Sequence, residues 1–213
     1  MTASQFAVAK PQADNRRGES RGFTLLELLI ATFVTAMAAA AVFGLLTEIQ
    51  QTAGYQGEVQ QVINNTRMAM RTVQRYIRQA GNDPHNTGLC GITIVGGSEV
   101  KICSDITGSS GAQNPDKGDP DGDMEDSGEN ITIRYNKRTR SLEVVPGNGP
   151  AQIIAGYISE FSMEYYDADG NTTALGSEVC TVAVTIAGSS LLADPKTHRK
   201  FGLKLSEAVR VLA

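Results

Sequence analysis

The chain has 213 residues, a formal net charge of −4, and 41% hydrophobic and 20% charged residues. That balance excludes a domain-wide basic surface for nucleic acid or anionic membrane. Its ordinary hydrophobicity confines any membrane-embedded part to a local segment, with enough chain left for one domain with a real core.

Residues 1–22 hold four bases, Lys10, Arg16, Arg17 and Arg21, against two acids, Asp14 and Glu19; this leaves fifteen bases and twenty-one acids, a charge of −6, from residue 23 onward. The next 24 residues, Phe23 to Leu46, are almost wholly apolar. As a helix they reach about 36 Å, enough to cross a hydrocarbon core of about 30 Å with some tilt. The basic flank places the N-terminus in the cytoplasm and the remainder on the far side, by the positive-inside rule. A secretory signal peptide cut after Ala38-Ala39-Ala40, or a plain single-pass anchor, fits the same pattern. Neither accounts for Glu27, the one carboxylate in the run. An ionisable group at membrane depth is costly and usually marks a function and a partner.

The segment Arg21-Gly22-Phe23-Thr24-Leu25-Leu26-Glu27 resembles the class III signal of type IV prepilins and type II secretion pseudopilins. The resemblance covers residues 16 to about 46, and every motif position matches. It implies a leader, residues 1–22, removed by a prepilin peptidase between Gly22 and Phe23, with N-methylation of Phe23. It also implies that Glu27 pairs with the terminal amine of an adjacent subunit during assembly. The physical logic is consistent, because a pair lowers the desolvation penalty that each charge would carry alone. The implied organisation is a filament-core helix over 23–46 and a periplasmic domain over 47–213. The implied partners are other pilins, the peptidase and an inner-membrane assembly platform; the implied destination is a pilus at the cell surface.

Beyond Leu46, Val59, Val62, Ile63, Thr66, Met70, Val73, Ile77 and Ala80 recur at spacings of three and four, the stripe of an amphipathic helix. Gly81 and Pro84 end it. Gly44, Gly54 and Gly57 are either points of local bending or tolerated small residues. Arg67, Arg71, Arg75 and Arg78 form a basic stripe beside the apolar one. It reads as a solvated face with local ion pairs or as a docking face for an acidic partner, and the lack of interleaved aromatics other than Tyr76 weakens a nucleic-acid reading.

From residue 81 the pattern turns to strands and turns. A hairpin around Gly96-Gly97 pairs Val95 with Glu99, so that opposed residue numbers sum to 194. A second hairpin turns near Asn136 to Thr139. A strand over "ISEFSMEYY" ends at Asp169-Gly170; "CTVAVTIAG" places Cys180, Val182, Val184 and Ile186 on one face; "KFGLKLSEAVRVLA" closes the sheet. A long helix covered by antiparallel strands is an α+β architecture, and this order is also that of the pilin fold.

Residues 104–129 form a polar, turn-rich loop with seven acids and one base between Asp116 and Glu129. The EF-hand order fails there, since with Gly122 sixth the first position is Lys117. The loop reads as solvated or partner-facing. If it holds calcium, Asp119, Asp121, Asp123 and Asp126 are the expected ligands; no other cofactor is expected. This acidic stretch before "ITIRYN", with the later "YYDADG" turn, looks like the PilW-like minor pilins.

Export to an oxidising compartment makes a disulfide reasonable, and the hairpin register puts Cys90 and Cys103 nearly opposite, so a Cys90–Cys103 bond is expected. Cys180 reads as a buried free thiol. Catalytic signatures are absent: His85 and His198 lie far apart in turn-like context, and in "GITIVGGS" Gly97 stands where a P-loop needs lysine. The sequence therefore points to a structural, non-enzymatic protein. A J-type minor pseudopilin of a type II secretion system, a pilus-tip binding module (an adhesin or DNA receptor) and a secreted soluble domain stand as alternatives.

Overall fold

The computed structural model describes residues 23–89, 91–108, 118–126, 128–147 and 149–211. Helix α1 runs over Leu25–Gln79, unbroken through Gly44, Gly54 and Gly57. It stops where Gly81 takes a φ of 76°, the left-handed conformation that glycine adopts without strain. The chain parts into two compact units between Glu48 and Ile49.

In the first unit every described side chain is exposed. Phe23, Leu25, Leu29, Phe33, Met37, Phe43 and Leu45 all face outward. A helix that apolar, burying none of its own surface, requires a non-aqueous cover. It is the one helix among the described residues long and apolar enough to cross a membrane.

In the second unit the helix buries Val62, Thr66, Met70, Val73, Ile77 and Ala80, as the stripe requires, together with Ala69 and Glu58. Val59 and Ile63 are half-buried at the edge of the stripe. Among the described residues eight strands follow: β1 (Ile92–Gly96), β2 (Glu99–Cys103), β3 (Asn130–Asn136), β4 (Ser141–Pro146), β5 (Gln152–Ala155), β6 (Ile158–Tyr166), β7 (Thr181–Ala193) and β8 (Lys200–Arg210). They form two sheets, β1-β2-β3-β4-β5 and β6-β7-β8, all antiparallel. The division falls at Gly156-Tyr157, where Tyr157 adopts a φ of 62°, a turn that no sequence periodicity announces. One core joins the helix stripe to Ile102, Ile131, Ile133 and Leu142 of the larger sheet and to Phe161, Val184 and Ile186 of the smaller one.

In the first hairpin Ile92 pairs with Ile102, Thr93 with Lys101 and Ile94 with Val100, so the numbers sum to 194. The register then slips, and Gly96 rather than Val95 faces Glu99. β7 alternates buried and half-buried residues from Thr181 to Ser190. It lies close against the helix at Gly188, where a Cβ would stand 2.2 Å from Thr66 Oγ1 and 3.0 Å from Val62 Cγ1.

Candidate functional site

The helix start is built by two side chains of the N-terminal motif. The backbone N–H and the hydroxyl of Thr24 donate to Glu27 Oε2 at 2.9 and 3.0 Å, and the Glu27 N–H donates to Thr24 Oγ1 at 3.2 Å. The Leu28 N–H donates to the Thr24 carbonyl at 3.2 Å. This is a reciprocal capping box, which satisfies the otherwise orphaned amides at a helix N-terminus. Glu27 therefore has an intramolecular partner within its own turn. Thr24 is absent from the sequence-derived site, although Thr followed three residues later by Glu, ahead of an apolar run, is the sequence signal for such a cap. Phe23 is 89% exposed. Gly22, the other side of the expected cleavage, lies outside the described residues.

The acidic loop is held from inside by two carboxylates. Glu129, fully buried, accepts from the N–H groups of Ile106 and Thr107 at 2.9 Å each and of Asp126 at 3.2 Å. Asp105, also fully buried, accepts from Asp121 and Gly122 at 3.2 and 2.9 Å. Amide donors compensate a buried carboxylate, so these two acids act as loop ties rather than as surface charge. His85 approaches the same loop, its Nε2 2.8 Å from the Pro120 carbonyl oxygen.

Of the four expected metal ligands, three come together: single carboxylate oxygens of Asp121, Asp123 and Asp126 lie within 4.8 Å of one another. Asp119 is exposed and stands outside that group. Asp126 Oδ2 is buried and accepts no hydrogen bond from the described residues. Burial, then the charges of Asp121, Glu129, Asp123 and Glu125, push the Asp126 carboxyl above its ordinary range. An all-carboxylate oxygen set suits a hard divalent cation such as calcium, and the orphaned Asp126 oxygen fits that chemistry.

The Cys103 N–H donates to the Gly91 carbonyl at 2.9 Å, which sets Gly91 across from Cys103. Cys90, the expected disulfide partner, lies outside the described residues. Cys180, expected as a buried thiol, is only half-buried, just ahead of the start of β7. The four arginines of the helix stripe are exposed. The described ion pairs, Arg134–Glu143 and Lys204–Glu160, involve none of them. The Arg75 guanidinium lies 4.9 Å from the Tyr76 ring centroid.

Residues 17–43 match the prokaryotic N-terminal methylation motif. No curated protein matches the chain. A segment of this kind directs processing by a prepilin peptidase and assembly with other pilins in a membrane machinery, and the proteins that carry it are generally structural filament subunits.

Proposed function

We propose that this chain, whose N-terminal segment is that of a type IV prepilin or pseudopilin, is a minor pilin without enzymatic activity. The peptidase cuts between Gly22 and Phe23 on the cytoplasmic face and methylates the Phe23 amine. The apolar helix over 23–46 holds the subunit in the inner membrane until assembly, with residues 47–213 periplasmic. In the filament, Glu27 accepts the terminal amine of a neighbouring subunit. The observation that carries this reading is the methylation motif leading into a helix that buries none of its own apolar surface. The minor rather than major assignment rests on the acidic loop and the "YYDADG" turn. A J-type pseudopilin is the second reading, favoured by the same motif.

The capping box separates two roles for Glu27. Glutamine at the same position can still complete a capping box but carries no charge. Glu27→Gln, as the sole copy, is expected to insert and to be cleaved, yet to assemble poorly. Thr24→Ala, which removes the cap hydroxyl and keeps the charge, is expected to assemble better than Glu27→Gln. Counting filaments by electron microscopy of sheared cells reads both. Normal assembly by Glu27→Gln would contradict the charge-pair role.

A further inference from the structure

The far end of the β7–β8 hairpin departs from the regular pairing of the smaller sheet. Ser189 pairs with Gly202, and the next pair is Ala193 with Lys200, so β7 carries two more residues than β8 over that interval. The alternation that buries Val182, Val184 and Ile186 would turn Leu192 inward. Instead Leu191 and Leu192 are 54% and 53% exposed. The irregularity is tied down from both sides. The Ser190 hydroxyl donates to the Leu192 carbonyl at 2.7 Å and accepts from the Phe201 N–H at 2.9 Å. From the helix, the nearly buried Glu58 carboxylate accepts from the Leu191 and Leu192 N–H groups. A buried carboxylate committed to a bulge is expensive unless fully hydrogen-bonded, and its effect is to hold two leucines outward.

Leu192, Ala193 and Pro195 line a cleft of about 330 Å³ with Gln50, Gln51, Gly54 and Tyr55 of the helix. Beside it, Lys196, Arg199 and Lys200 are exposed. Asp194 accepts from the amides of Lys196 and Thr197 at 2.7 and 3.0 Å and also feels the Lys196 charge, which leaves Arg199 and Lys200 as the basic pair of the patch. Gln50 follows Leu46 by four residues, about 6 Å of helical chain. The patch is thus tethered within a few residues of the end of the apolar run, and it combines exposed leucines with flanking cations. That pairing of apolar and basic side chains matches an anionic lipid interface.

We propose that the β7–β8 hairpin end, through Leu191, Leu192, Arg199 and Lys200, rests on the anionic phospholipid surface of the bilayer that holds the unassembled subunit. This inference rests on the membrane-anchored reading above. It adds a second membrane contact that leaves the lipid when the subunit enters a filament.

The chain contains no tryptophan, so Leu191→Trp supplies a sole reporter. Leu175→Trp, 58% exposed and ahead of the opposite end of β7, supplies the control. Full-length chain is reconstituted into vesicles of phosphatidylcholine, with or without phosphatidylglycerol, containing brominated acyl chains. Flotation first establishes anchoring. A chain that does not float overturns the anchored reading itself. In a floating chain, Leu191→Trp should be quenched and blue-shifted in anionic vesicles, while Leu175→Trp stays water-exposed. Adding Arg199→Glu and Lys200→Glu should lower the ratio of lipid-contacting to free hairpin by more than about tenfold, since each base near an anionic surface contributes about 1 kcal/mol. Equal quenching of the two reporters, or quenching indifferent to phosphatidylglycerol, overturns the inference alone. So does a blue shift without bromine quenching that grows with protein density, which would make another protein copy the occupant.

Discussion

Gly188→Ala tests the packing of β7 on the helix. A methyl group there would sit 2.2 Å from Thr66 Oγ1 and 3.0 Å from Val62 Cγ1. Neither neighbour yields easily. Thr66 and Val62 are fully buried and β-branched, and the Thr66 hydroxyl is committed to the Val62 carbonyl at 2.7 Å; such side chains have few alternative rotamers. Overpacking of this kind destabilises by about 1–3 kcal/mol. For a domain of this size that is a fall of roughly 2–12 °C in unfolding midpoint. The assay is thermal unfolding of the full chain in detergent, followed by the β-sheet circular dichroism signal. Thr66→Ala removes the atom nearest the new methyl. The double variant should therefore melt above Gly188→Ala alone, with coupling of the sign opposite to two independent losses. A wild-type midpoint for Gly188→Ala, or a double variant lower than both singles, would refute the close-approach reasoning.

Thiol titration of the denatured, unreduced protein should find one free thiol, Cys180, with Cys90 and Cys103 joined; three free thiols would remove the proposed bond. Asp126→Asn should raise the unfolding midpoint in a chelator at neutral pH. The folded-state pKa of Asp126 is raised, so the ionised carboxylate weakens the folded state increasingly as pH rises through that value, and the advantage of asparagine should vanish below the ordinary carboxylate range. If Asp121, Asp123 and Asp126 share a calcium ion, millimolar calcium should raise the wild-type midpoint and leave Asp126→Asn unmoved.

What the sequence revealed follows from which forces are periodic. The helix stripe from Val62 to Ala80 and the alternation of β7 are hydrophobic patterns with fixed periods, and both were legible. The register of the first hairpin was legible from Ile92 to Ile94, because two glycines and a short turn leave few alternatives, but the slip that puts Gly96 opposite Glu99 was not. β5 was not, because Gln152–Ala155 is four residues long with no alternation. The split into two sheets depends on a positive φ at Tyr157, which no residue type there announces. At the N-terminus the motif drew attention to Glu27, while the role of Thr24 needed geometry. In the acidic loop, composition suggested a solvated or partner-facing surface, or a calcium site, and gave Glu129 and Asp105 no separate role. Amide donors adjacent only in space turned Glu129 and Asp105 inward. The outward turn of Leu192 likewise depends on Glu58, 134 residues away in sequence.

The central claim concerns the fate of the N-terminus, and mass spectrometry of the protein purified from its native membrane, intact and as N-terminal peptides, tests it most directly. The account predicts a mature chain that begins at Phe23 and carries one methyl group on its amine. A chain beginning near Ala41 would make this a secreted soluble domain and would contradict the role given to Glu27.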